Sequence, residues 1–191
     1  MIFTLDFVTH HYPVITFVEG LPYDCISVLP CATSLGGVLI LTSNSIIYID
    51  QAARRVVLPV SGWPARTSDM PLPVQSPEDQ LRKLELEGAR AAFVGDRTFF
   101  IILQDGTVYP VDLVTDGKTV SKLTMAPALA QTTVPTVVKS IGSNLLFVGS
   151  TTSRSVLLKT TRVEEEVVDD GETRSTVVDI QRDLDLDDDG L

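Results

Sequence analysis

Apolar residues recur along this chain in short runs, each broken by a polar turn and followed by a second, mixed run. The first clear unit is Gly37-Val-Leu-Ile-Leu-Thr42, a break at Ser43-Asn44, then Ser45-Ile-Ile-Tyr-Ile-Asp50. β-Branched and aromatic residues dominate both runs, and a tight break between them predicts an antiparallel hairpin. The layout returns at residues 98–103, turn 104–106, residues 107–113, and again at residues 144–150, turn 151–153, residues 154–159. In the second copy Asp105-Gly106 predicts a type I′ turn, because both positions tolerate positive φ.

Flanking segments complete the pattern. Strands are predicted over residues 2–8, 12–18, 24–29, 55–60, 90–94, 119–125 and 136–141. Residues 81–87 read as a strand rather than two helical turns, because Gly88 ends the run so soon. Residues 61–80 hold four prolines and little periodicity, a loop longer than most connections in a compact domain. Residues 126–135 form a second connecting loop.

The spacing supports a repeat. Ile40 and Ile102 stand 62 positions apart, Ile102 and Phe147 stand 45 apart, and the excursion at 61–80 accounts for most of the difference. A unit of about 40 to 45 residues with four short strands is the period of a β-propeller blade. The predicted fold is therefore all-β. Residues 1–161 make about three consecutive four-stranded WD-like β-propeller blades, an incomplete propeller, and residues 162–191 follow as a disordered acidic tail. No fourth strand is predicted for the third repeat.

Charge sharpens the boundary at 162. Residues 162–191 carry twelve acids and three arginines, while the other 161 residues carry thirteen acids and twelve bases. The net charge of −10 is thus almost wholly the tail's. A neutral body argues against an unaided nucleic-acid platform, which needs a clustered basic face. The apolar fraction is 44%, yet no apolar run approaches the roughly 18 residues of a membrane span. The start Met1-Ile-Phe-Thr-Leu-Asp-Phe7 lacks the basic and small-residue features of a secretory signal, so an intracellular protein is expected.

Candidate chemistry is sparse. Cys25 and Cys31 read as buried, reduced thiols, and His10 and His11 as a solvated loop rather than metal ligands. Asp185-x-Asp187-x-Asp189-Gly190 matches the first half of a calcium loop, but its twelfth position falls beyond Leu191. Leu35-Gly36-Gly37 enters a strand rather than a helix and makes no phosphate cradle. Catalytic motifs are missing from the sequence, so neither an enzyme nor any cofactor or metal is expected. A propeller enzyme would need a ring of polar side chains at inner-strand ends, and none is recognisable. Phe99-Phe100 sits inside a strand, with at least one ring directed to the core.

Four residues remain as weak candidates for partner binding. Arg54 and Arg55, like Lys118 and Lys122, form close basic pairs that read first as solvated strand ends. Trp63 is the only Trp, with Arg66 nearby. A lone Trp at a chain break reads first as the cap on the open end of a core. Its pairing with Arg also makes a partner-binding knob, since both residue types are enriched at interface hot spots.

The stretch LPYDCISVLPCATSLGGVLILTSNSIIYIDQAARRVVLPV resembles a family: the large subunits of the cleavage and polyadenylation specificity factor, fungal versions above all. DGTVYPVDLVTDGKTVSKL, LAQTTVPTVV and LLFVGSTTSRSVLLKTTRVEEEV are similar to the same family in the same order, over residues 20–168. That family includes the large subunit of the damage-specific DNA-binding protein and a spliceosomal relative. The resemblance implies three seven-bladed propellers in a much longer chain, of which this one holds the closing blades of the first and the acidic link after it. It implies a non-catalytic nuclear scaffold in pre-mRNA 3′-end processing. The implied partners are other subunits of the cleavage and polyadenylation factor, among them a WD-repeat subunit and a zinc-finger subunit, together with pre-mRNA. The alternative within the family is a scaffold for DNA repair, ubiquitin ligation or splicing. The resemblance carries no motif that assigns partner contacts to single positions.

An arc of blades leaves strand edges unpaired and sheet faces half covered. Residues 1–160 alone are therefore expected to be unstable or to aggregate. A cooperative, monomeric thermal transition of that segment would contradict this.

Overall fold

The computed structural model describes residues 2–67, 72, 82–164 and 176–182, and nearly all of their regular structure is strand. The chain opens with a two-stranded hairpin, β1 (Ile2–Phe3) and β2 (Val14–Thr16). The first four-stranded sheet follows: β3 (Cys25–Pro30), β4 (Val38–Thr42), β5 (Ser45–Ile49) and β6 (Arg55–Pro59). One helical turn, α1 (Pro64–Thr67), comes next. The second sheet holds β7 (Arg90–Phe93), β8 (Thr98–Ile102), β9 (Thr107–Asp116) and β10 (Thr119–Met125), with the short β11 (Ala130–Gln131) also paired to β9. The third holds β12 (Val137–Ile141), β13 (Leu145–Gly149), β14 (Val156–Glu164) and β15 (Thr176–Arg182).

In each of these sheets the strands neighbour one another in chain order, and the pairings are antiparallel. The three predicted hairpins are β4–β5, β8–β9 and β13–β14, the central pair of each sheet. The fold is all-β, with three consecutive blades of an incomplete propeller.

Two compact units divide the chain: Met1–Glu87 with Leu113–Thr124, and Gly88–Asp112 with Met125–Leu191. In the first, Ile40, Ile47, Ile49 and Val57 share one face of the sheet, with Val18 and Leu21 packed on it. The opposite face carries Leu39, Leu41, Ile46, Tyr48 and Leu58, all buried as well. In the second unit Phe100, Ile102 and Val108 of one sheet pack against Val138, Leu146, Val148 and Leu158 of the next. The first strands β7 and β12 lie side by side there, and Arg90 Nε donates to the Thr136 carbonyl at 3.0 Å. Each fully buried Ile, Leu or Phe of this kind stabilises the fold by about 1.5–3 kcal/mol.

Several expectations are corrected. The strand predicted over 2–8 stops at Phe3, because the Asp6 carboxylate accepts the Val8 and Thr9 N–H groups and turns the chain. Phe7, Val8 and Ile15 are left exposed at 73%, 90% and 61%. Residues 82–86 form no strand; Leu84 N–H and Leu86 N–H each make a single bond, to the carbonyls of Val60 and Ser43. The loop at 126–135 contains β11.

The third sheet does have a fourth strand, and the acidic region supplies it. Thr176-Val-Val-Asp-Ile-Gln-Arg182 is a β-branched island that charge averaged over the whole tail conceals. The disorder expected for residues 165–175 and 183–191, and most of the loop at 61–80, lies outside the described residues.

Turn chemistry differs from expectation too. Gly106 has φ +90° and Asp105 is not among the positive-φ residues, so the turn is not type I′. Gly106 N–H donates to Leu103 O, and Leu103 N–H to Thr107 O, both at 2.9 Å. That is a three-residue loop with its bulge residue left-handed, the position where glycine is favoured. The β5–β6 connection has the same two bonds, Ala53 N–H to Asp50 O and Asp50 N–H to Arg54 O, but places Ala53 at φ +60°. Ala53→Gly should therefore raise stability by about 0.5–1 kcal/mol, the left-handed penalty less the added freedom of the unfolded chain. Gly106→Ala should lower it by about 2 kcal/mol, since a Cβ there also overlaps the Thr132 carbonyl oxygen. Urea midpoints of the two variants check both signs.

Candidate partner-binding site

The chain leaves the first sheet through Ser61, and the side chains that follow are held by the ends of its strands. The Ser61 hydroxyl donates to Asn44 Oδ1 at 2.8 Å and accepts the Trp63 N–H at 3.3 Å. Asn44 sits between β4 and β5, and its Nδ2 donates to Asp24 Oδ2 at 3.1 Å, just before β3. Trp63 therefore starts α1 from a fixed point. Within α1 the Arg66 N–H reaches the Trp63 carbonyl at 2.7 Å, and the Arg66 guanidinium lies over the indole, 5.1 Å from its centroid.

Trp63 stays 55% exposed, so it does not cap the core. It borders a groove of about 630 Å³ lined by Asn44, Ser61, Gly62, Arg82, Lys83, Leu84 and Glu85. A broad ring with a stacked guanidinium combines apolar area with a hydrogen-bonding cation, the makeup of an interface anchor.

The two arginines of the β5–β6 turn are placed differently. Arg54 Nε pairs with Asp50 Oδ2 at 3.2 Å, and its Nη2 reaches the Val120 carbonyl at 3.5 Å. Arg55 Nη2 donates to the Glu19 carbonyl at 2.7 Å. Both guanidinium groups thus strap chain segments together. Arg54 thus also touches β10, the strand that carries Lys122 and follows Lys118, within the first unit. The Asp50 carboxylate paired with Arg54 dilutes the local charge.

The cysteines are not the buried pair expected. Both are free thiols; Cys25 is exposed because it opens β3, the edge strand of its sheet, and Cys31, just past the end of β3, is half-buried. Cys25 Sγ donates to the Pro22 carbonyl at 3.1 Å. Burial pushes the Cys31 thiol up to about 11. Burial, then the Asp24 charge, raises that of Cys25. Among the described residues no three His, Cys, Asp or Glu side chains gather as a metal site.

The sequence profile of the family described as "RSE1/DDB1/CPSF1 first beta-propeller" matches residues 15–182. The chain belongs to this propeller family. Protein cft1 of Schizosaccharomyces pombe is 35% identical over 184 residues, covering 88% of this chain and 12% of its own length. The cleavage and polyadenylation specificity factor subunit 1 of Drosophila melanogaster is 29% identical over 158 residues, covering 82% and 10%. The protein of that same name from Arabidopsis thaliana is 26% identical over 148 residues, covering 78% and 10%. The chain thus spans only 10–12% of the length of these relatives. The residues matched by the family profile include every strand of the three sheets, β15 among them.

Sequence spacing had no means of linking Asp24, Asn44 and Ser61 to Trp63. The sole available signal was the pair of small polar residues at the turn and at the strand end.

The Cys31 shift has a measurable consequence. At pH 8 its thiolate fraction is about 0.1%, against about a quarter for an ordinary thiol, so native-state alkylation should label Cys25 well before Cys31. Both should label alike in urea. Because the folded Cys31 keeps its proton to higher pH than the unfolded one, its contribution to stability is complete below about pH 8.5 and fades as pH rises toward 11. Peptide mass mapping and alkaline melting curves check the two parts.

Proposed function

We propose that this chain is part of a non-catalytic nuclear scaffold of the pre-mRNA 3′-end cleavage and polyadenylation complex. The observation that carries the reading is the match of residues 15–182 to the family's first propeller, with relatives named Cft1 and cleavage and polyadenylation specificity factor subunit 1. Its work is to hold protein partners, the WD-repeat and zinc-finger subunits of that complex. Trp63 and Arg66 are the contact candidates. An exposed indole stacked under a guanidinium supports that role, since Trp and Arg are enriched among the residues that dominate interface binding energy.

Contact with pre-mRNA is secondary and runs mostly through the partners. On this chain it belongs to the edge where Arg54 meets β10, the strand of Lys122. The Asp50 carboxylate paired with Arg54 keeps such contact weak.

Affinity purification of the tagged chain from nuclear extract should enrich polyadenylation-factor subunits. Recovery of cullin-type ligase or spliceosomal subunits in their place would overturn the assignment. Trp63→Ala should weaken retention of the WD-repeat subunit by about 2 kcal/mol, roughly 30-fold, whereas Arg55→Ala should leave it nearly unchanged. Surface-immobilised titration of the two variants separates a contact role from a general loss of fold.

A further inference from the structure

Three polar side chains far apart in sequence converge behind Trp63, and their donors and acceptors admit one arrangement. A carboxylate only accepts, so Asp24 Oδ2 fixes the Asn44 amide with Nδ2 toward it at 3.1 Å. Asn44 Oδ1 must then face Ser61 and take its single hydroxyl proton at 2.8 Å. The Ser61 lone pairs are left to accept the backbone N–H of Trp63 at 3.3 Å. Two of the members are also anchored through their backbone: Asp24 O accepts Ser43 N–H at 3.1 Å, and Asn44 O accepts Val60 N–H at 3.0 Å.

The relay thus ties the start of β3, the β4–β5 turn and the exit of β6 to the backbone amide from which the exposed indole extends. It also keeps Asp24 Oδ1 buried with no hydrogen-bond partner among the described residues, an arrangement that costs stability. A polar chain that carries such a cost points to a part in aiming Trp63 as well as in stabilising the fold.

We propose that Asp24, Asn44 and Ser61 are positioning residues whose relay holds the Trp63–Arg66 stack in docking geometry before a protein partner arrives. The partner surface offers an apolar slot for the indole and a carboxylate for Arg66. This rests on the docking role given to Trp63 above. Its physical basis is preorganisation: an anchor ordered in advance loses less freedom on binding.

Trp63 is the only Trp, so intrinsic fluorescence reports this site alone. Time-resolved anisotropy and acrylamide quenching of the full chain would be compared with Ser61→Ala and Asp24→Asn, alongside melting midpoints. The Asp24→Asn change is isosteric and keeps the packing, but its amide also donates, which frees Asn44 to flip and Ser61 to turn away. Both variants should show faster indole motion and stronger quenching while remaining folded. Both should retain the WD-repeat subunit of the polyadenylation factor roughly 3- to 10-fold less tightly. Unchanged indole motion in the folded variants overturns the positioning role. Faster motion with undiminished binding overturns the docking role of Trp63 and leaves the positioning role supported.

Discussion

The structure depends on central strands that are apolar on both faces. Ile40, Ile47 and Ile49 point one way from the first sheet while Leu39, Leu41, Ile46 and Tyr48 point the other, and all are buried. In β8, every residue from Thr98 to Ile102 is buried. A sheet with two apolar faces is unstable alone, since either face left in water forgoes about 25 cal/mol for each Å². It requires a neighbour on both sides, which is what a succession of blades provides. In the second unit the arrangement is explicit: Phe100 and Ile102 of one sheet share a core with Leu146 and Val148 of the next.

That constraint also decides where function can reside. Where both faces of a central strand are occupied by packing, as in β4, β5 and β8, exposed side chains are confined to strand ends, turns and edges. The candidate site follows this rule. Trp63 stands just past the end of β6, and the side chains behind it come from the start of β3 and the β4–β5 turn. Arg54 and Arg55 occupy a comparable turn, but their guanidinium groups are drawn into Asp50, Val120 and Glu19 contacts that brace the chain. Position at a strand end is necessary for a contact role; the side chain's own bonds determine whether it is available for one.

The hairpins were legible because the signal was local. Val38–Thr42 with Ser45–Ile49 and Thr98–Ile102 with Thr107–Asp116 combine β-branched and aromatic content with a short polar break, and such segments need little from elsewhere. Less legible were segments where a side chain competes for the backbone. Asp6 captures two N–H groups and ends β1 early, and residues 82–86 spend two N–H groups on Val60 and Ser43 instead of joining a ladder. β15 was hidden for another reason: its Val177, Val178 and Ile180 lie within an acid-rich region whose average charge masks them. At the site, Trp63 and Arg66 could be picked out by residue type, but not the relay from Asp24, which spans 37 residues to Ser61.

By itself the sequence determined the all-β class, the repeat of four short strands and the family, because these reside in residue type, period and ordered blocks of similarity. The tertiary structure decided which strands completed each sheet, that Trp63 faces solvent instead of closing a core, and which polar side chains hold it. The reason is one of range. Strand propensity and alternation act between neighbours a few residues apart, and so they are written along the chain. Exposure and side-chain hydrogen bonding depend on which distant segments the packing brings within about 3 Å of one another, and no local pattern encodes that.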